Sequence, residues 1–99
     1  MRDDSFEWND AKAATNYEEH GVTFDAARDA FLDENAIEWL DDREEYGEDR
    51  WVRIAMTDNR LLFLVYTLRA DEQGRERIRI ISAREANKHE QKTYRRRKP

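Results

Sequence analysis

Arg77-Ile78-Arg79-Ile80-Ile81-Ser82-Ala83-Arg84 reads as a buried strand that runs straight into a helix. Strand side chains alternate with period two, so Ile78 and Ile80 share one face and Arg77 and Arg79 the other. Ser82 and Glu85 form the Ser-x-x-Glu pattern of a capping box, which satisfies free backbone donors where a helix begins. That pattern predicts a final helix from about Ala83 toward Arg97, ending before Pro99. Two arginines on one face of a central strand are costly unless the face is wet, paired or meant for anions. This conflict between burial and charge marks the stretch as the place to look for function.

Outward from it, Leu61 to Leu68 is nearly all apolar, as expected of a central strand covered on both faces. A turn from Asp71 to Glu76 around Gly74 links the two. Trp51 to Thr57 is a further strand, with Val52, Ile54 and Met56 facing one way, and Asp58-Asn59 is a hairpin turn signal. Three strands joined by short turns make an antiparallel meander. Ala36 to Leu40 is another strand candidate, with Ile37 and Trp39 on one side, followed by a charged loop from Asp41 to Arg50. Ser5 to Trp8 reads as a brief edge strand. Asn9 or Asp10 caps a helix through about His20, which Gly21 ends. Thr23 caps a second short helix whose Phe24, Ala27 and Phe31 form an apolar stripe. The expected fold is one α+β domain over residues 1–99. It has a small, mainly antiparallel sheet of four to five strands, two N-terminal helices and one C-terminal helix.

Ninety-nine residues suffice for one modest core. Charged residues make up 41%, yet three Trp, four Tyr and four Phe argue against disorder. With no cysteine there is no disulfide and no thiolate metal site, and a reducing cytoplasm is the natural home. No apolar run approaches a membrane span, and Met1-Arg2-Asp3-Asp4 does not open a signal peptide. The net charge of −5 is unevenly placed. Residues 1–74 carry 8 Lys/Arg against 20 Asp/Glu, a balance of −12, while residues 75–99 carry 10 against 3, a balance of +7. A basic end on an acidic body suits a polyanion or an acidic protein as partner. Arg95-Arg96-Arg97-Lys98 alone reads equally well as a solvated tail.

Familiar catalytic signatures are missing: there is no Gly-rich phosphate loop, zinc helix or serine elbow. Glu85 and His89 share a helical spacing, but two ligands do not make a metal site. What remains is a set of cations near strand ends: Lys12, His20, Arg50, Arg69, Arg79 and Arg84. A metal-free ribonuclease needs a base near the 2′-hydroxyl, cations for charge building on phosphate, and an acid for the leaving oxygen. Guanidinium suits the second role because its fork matches phosphate oxygens and stays charged. His20 is of the type that titrates near neutrality. Glu48 is a second possible base, and Tyr94 is a candidate for stacking on a base. Each has a structural alternative. His20 at a helix end favours the dipole, Glu48 and Arg50 pair across a loop, Lys12 is solvated, and Tyr94 belongs to the core. Trp8, Trp39 and Trp51 read as packing.

The same residues carry a resemblance. Phe6-Glu7-Trp8-Asn9 is followed by Lys12 and Asn16, then by His20-Gly21-Val22 with Phe24 and Phe31. Gly47-Glu48-x-Arg50, Arg69, Arg79-Ile80-Ile81-Ser82-Ala83-Arg84, Glu90 and Tyr94 complete the series. In this order and spacing the chain resembles the BrnT-type toxins of bacterial type II toxin–antitoxin systems over nearly its whole length. The resemblance implies a RelE-like ribonuclease fold and an endoribonuclease that blocks translation without metal or cofactor. It implies Lys12, His20, Glu48, Arg50, Arg69, Arg79, Ser82 and Arg84 as site residues. Of these, His20, Glu48, Arg69, Arg79 and Arg84 are expected to be catalytic, and Lys12, Arg50 and Ser82, with Tyr94 from the reading of the residues, RNA-binding. The implied partners are RNA, a BrnA-like ribbon-helix-helix antitoxin, and operator DNA only through the antitoxin complex; no membrane is implied. Two positions depart from the family pattern: Asn9 where Asp is common, and Glu19 where a basic residue is usual. A carboxylate at Glu19 is expected either to act on the neighbouring His20 or to weaken attraction for RNA. The alternatives are an inactive homologue that binds its antitoxin in promoter autoregulation, and a small structural or adaptor domain.

Overall fold

A computed structural model describes residues 5–42, 45 and 47–97. Residues 1–4, Arg43, Glu44 and Tyr46 of the charged loop, and Lys98 and Pro99 lie outside the described residues. The chain runs β1 (Phe6–Glu7), α1 (Asp10–His20), α2 (Phe24–Asp29), a 3-10 turn (Ala30–Leu32), β2 (Ile37–Asp41), β3 (Arg50–Thr57), β4 (Arg60–Ala70), β5 (Glu76–Glu85) and α3 (Lys88–Arg97). The sheet order is β1-β5-β4-β3-β2, with the most apolar strand, β4, at its centre. β2 to β5 pair antiparallel as the hairpin signals require. β1 adds a parallel edge to β5, with Phe6 opposite Ile78 and Glu7 opposite Arg79, so the sheet is mixed.

One sheet face carries α1 and α2. Val22, Phe24, Ala27 and Ala30 bury themselves there against Ala55, Leu62, Leu64, Ile80 and Ala83. The caps are those read from the sequence: Asn9 accepts from the Lys12 N–H at 3.0 Å and Thr23 from the Ala26 N–H at 3.1 Å. Gly21 closes α1 at φ 68°, a conformation that costs glycine little. The other face is covered by α3 at one end only, where Tyr94 packs on Ile37 and Ile54, with Leu61 and Phe63 alongside.

The Ser82-Glu85 pattern does not begin a helix. β5 continues through it, pairing with β4 as far as Leu62 opposite Glu85, because the long partner strand satisfies the backbone groups that a cap would otherwise serve. The capping box lies at Asn87-x-x-Glu90. There the Glu90 N–H donates to Asn87 Oδ1 at 2.8 Å and the Asn87 N–H donates to Glu90 Oε1 at 2.9 Å. Period-two alternation also breaks inside β5. Val65 lies opposite Ser82 but Tyr66 lies opposite Ile80, so Ile81 is an extra residue, a β-bulge. The bulge lets Ile80 and Ala83 both reach the helix-covered core and leaves Arg79, Ser82 and Arg84 together on the other face.

Because β1 ends at Glu7, nothing from the sheet pairs with the outer edge of β5 near Ala83. Asn16 of α1 takes that place. Its Nδ2 donates to the Ala83 carbonyl at 2.8 Å and the Val22 carbonyl at 3.0 Å, and its Oδ1 accepts from the Ala83 N–H at 3.1 Å. At 5% exposure none of these groups has water as a substitute. Asn16→Ala is therefore expected to lower unfolding free energy by about 2–3 kcal/mol, since it orphans buried backbone groups. Urea denaturation measures this, and a loss under about 0.5 kcal/mol would contradict the assignment.

Candidate functional site

Residues directly opposite one another in a sheet share a face, so the partly uncovered face can be read strand by strand. Its middle row is Trp39, Val52, Val65 and Ser82, from β2 to β5. The row above, beneath α3, is Ile37, Ile54, Phe63 and Arg84. In the row below, Asp41 lies opposite Arg50, Thr67 opposite Arg79, and Arg79 opposite Glu7. Ser82 thus sits between two arginines of its own strand.

Both arginines are held by carboxylates. Arg79 Nη1 donates to Glu7 Oε2 at 2.8 Å. Arg84 makes a two-pronged pair with Glu90, 2.8 Å at each oxygen, and its guanidinium lies 4.1 Å from the Phe63 ring centroid. Burial pushes the Glu90 carboxyl up, but hydrogen bonds from Arg84 and the Asn87 N–H outweigh it and hold the group below its usual range. The same arrangement answers the question posed by Arg77, which pairs with Asp71 at 3.2 Å. The charged side of β5 is wet and paired.

Lys12, His20 and Ser82 line one groove of about 330 Å³ between α1 and β5, with Glu19 on its wall. Glu19 Oε1 stands 3.9 Å from His20 Nε2. Ser82 joins this groove to the rows carrying Arg79 and Arg84. Arg50 starts β3 and pairs with Glu48 at 3.4 Å, the loop pairing that the sequence left open. Arg69 is exposed near the end of β4, opposite Arg77 and away from the groove. Among the described residues no three His, Cys, Asp or Glu side chains cluster as a metal site requires, and no helix is long and apolar enough to cross a membrane.

Tyr94 corrects the sequence reading. Only 5% exposed within the α3 core, its ring has no free face for a nucleobase. Its hydroxyl donates to Asp33 Oδ2 at 2.7 Å, and that carboxylate also accepts from the Met56 and Asn35 N–H groups. Burial and the Asp33 carboxylate push the phenol up to about 12. For Asp33, burial acts upward, but the Met56, Tyr94 and Asn35 hydrogen bonds and the Arg53 charge bring the carboxyl below its ordinary value.

The family described as "Ribonuclease toxin, BrnT, of type II toxin-antitoxin system" matches residues 8–90. The chain belongs to this family. No curated protein matches the chain at a significant level. As a BrnT-family toxin the chain is placed with type II ribonuclease toxins, whose partner is an antitoxin. The matched span includes the groove, Arg79, Arg84 and Glu90 as its last residue, while Glu7 and Tyr94 fall outside it. Glu7 and Glu90 carry the resemblance but are not among the site residues expected from the sequence. Asn87-x-x-Glu90 was legible as a capping box, whereas the Glu7–Arg79 pair, 72 residues apart, has no local signal.

Asp33 makes the attachment of α3 sensitive to acid. A carboxyl whose folded value lies below its unfolded one adds stability that is fully present above the ordinary value of 3.8. That stability is lost as pH falls through the lowered folded value. Asp33→Asn is expected to be less stable than wild type at pH 6, with the gap narrowing by pH 3. Thermal melts across that range test it, and a gap constant with pH would contradict the role given to the ionised carboxylate.

Proposed function

We propose that this BrnT-family toxin is a metal-independent endoribonuclease that inhibits translation and is neutralised by a BrnA-like ribbon-helix-helix antitoxin. The observation that carries this reading is the meeting of the Lys12–His20–Ser82 groove with Arg79 and Arg84 at one strand, through the bulge at Ile81. In the reaction, the RNA 2′-oxygen forms a bond to the adjacent phosphorus as the bond from phosphorus to the 5′-oxygen breaks. The proton leaves the 2′-hydroxyl for a base, and another is delivered to the departing 5′-oxygen. His20 is the proton carrier of the groove, with Glu48 the alternative base. The Glu48 pairing with Arg50 favours a positioning role for that carboxylate.

Arg79 is the first choice for the charge that builds on phosphate. Its bond to Glu7 uses Nη1, and a guanidinium offers five donors in a fixed fork. Arg84 has both terminal nitrogens on Glu90 and a further bond to the Glu85 carbonyl, so it adds charge nearby. Lys12, Arg50 and Ser82 follow the RNA backbone, and Arg69 contributes to the long-range attraction. One observation favours a second reading, an inactive homologue that binds its antitoxin in promoter autoregulation. Carboxylates already oppose both central arginines.

Purified protein is expected to cleave total RNA in EDTA. Arg79→Ala is expected to lower the rate at least about tenfold, equivalent to ~1.4 kcal/mol of transition-state stabilisation, while remaining folded. Equal cleavage by the variant removes Arg79 from the mechanism. No cleavage by either protein, even with translating ribosomes added, favours the antitoxin-binding module.

A further inference from the structure

The sequence places Trp39 with the packing tryptophans. The structure leaves it 40% exposed on edge strand β2. Register puts it on the same face as Arg79, Ser82 and Arg84, because Trp39, Val52, Val65 and Ser82 form one row. The other large apolar side chains exposed on the strands differ from it. Leu40 lies opposite Trp51, and Leu68 opposite Ile78, so both belong to the reverse face, while Met56 belongs to the α3 end of the row system.

The indole is also braced. Its ring meets Phe63 edge-on, with centroids 6.3 Å apart and planes at 69°. Phe63 in turn lies beneath the Arg84 guanidinium, which pairs with Glu90. A large apolar ring fixed by its neighbours yet open to solvent is not required by the core on its own face, which Ile37, Ile54 and Tyr94 already form. Three strand spacings of about 4.8 Å, roughly 14 Å in all, separate its column from that of Ser82. A short run of single-stranded nucleotides covers that distance. Aromatic faces beside cationic rows are how proteins hold single strands, with bases stacked on rings and phosphates on cations.

We infer that Trp39 is a base-stacking platform for RNA, which holds a nucleotide flanking the one whose phosphate lies at Ser82 and Arg79. The inference rests on the ribonuclease reading and adds a specificity-determining residue to it. Trp39 touches no reacting atom. It acts by orienting the strand, so its loss weakens binding and leaves the proton chemistry of the groove in place.

The test uses the full chain and a short single-stranded 2′-O-methyl RNA, which lacks the attacking hydroxyl and cannot be cleaved by the proposed route. Trp39→Ala is expected to weaken binding about tenfold without changing its salt dependence, because stacking neutralises no phosphate. Trp39→Phe is expected to recover most of the loss. A scan of single abasic substitutions along the RNA supplies the decisive comparison. At the stacked position, wild type and Trp39→Ala should bind alike, and elsewhere the difference should persist. Binding by Trp39→Ala equal to wild type overturns the inference alone, as does a penalty that no abasic position abolishes, which would assign Trp39 to packing. Loss of antitoxin binding with RNA binding intact would overturn it in favour of a protein contact. Failure of wild type both to bind this RNA and to cleave RNA would overturn the ribonuclease reading and the stacking role together.

Discussion

The carboxamide of Asn16 stands in for a strand. β1 covers only the first part of the β5 edge, and without another partner the backbone of Ala83 would be buried and unsatisfied. Asn16 offers one donor and one acceptor to the same residue, as a neighbouring strand would, and ties the turn after α1 at Val22 with its second donor hydrogen. The position of α1 beside β5 depends on this bond set. So does the groove, because Lys12 and His20 come from α1 and Ser82 from β5. A residue buried for its backbone hydrogen bonds therefore sets the spacing of the residues assigned to chemistry.

The bulge at Ile81 is the second constraint. In an unbroken strand Arg79 and Ser82 would lie on opposite faces. One extra residue brings them to the same side and sends Ala83 to the core. The charged face that results is stable as it stands because Glu7 and Glu90 pair with its arginines. The Arg79–Glu7 pair is single-pronged and partly exposed, of the kind that contributes about 0–1 kcal/mol, little enough for phosphate to compete with it. Glu90 has two duties, since the carboxylate that orients Arg84 also closes the capping box of α3.

Much of this was legible in the sequence. The strands, the hairpin turns, both N-terminal caps and the central place of β4 followed from alternation, turn chemistry and apolar runs. The end of β5 was not. Ser82-Ala83-Arg84-Glu85 carries a sound helix-start pattern, and only the length of β4 and the reach of Asn16 decide that it stays a strand. The bulge has no sequence mark, and it controls which side chains face one another. Of the site residues, Lys12, His20 and Ser82 come together in the groove, flanked by Arg79 and Arg84, as strand and helix ends suggested. Tyr94 went to the core because an amphipathic helix needs an anchor. Trp39 did the reverse, remaining exposed because its strand is an edge.

The central claim is that one composite surface, built from α1 and the bulged end of β5, receives RNA phosphate. Its most direct test is a nuclear magnetic resonance titration of the labelled protein with a short RNA that cannot be cleaved. The account predicts that amide shifts concentrate at Lys12, His20, Trp39, Arg79, Ser82 and Arg84, with little change at Leu68 on the reverse face. Shifts confined to the reverse face, or none at saturating RNA, would contradict it.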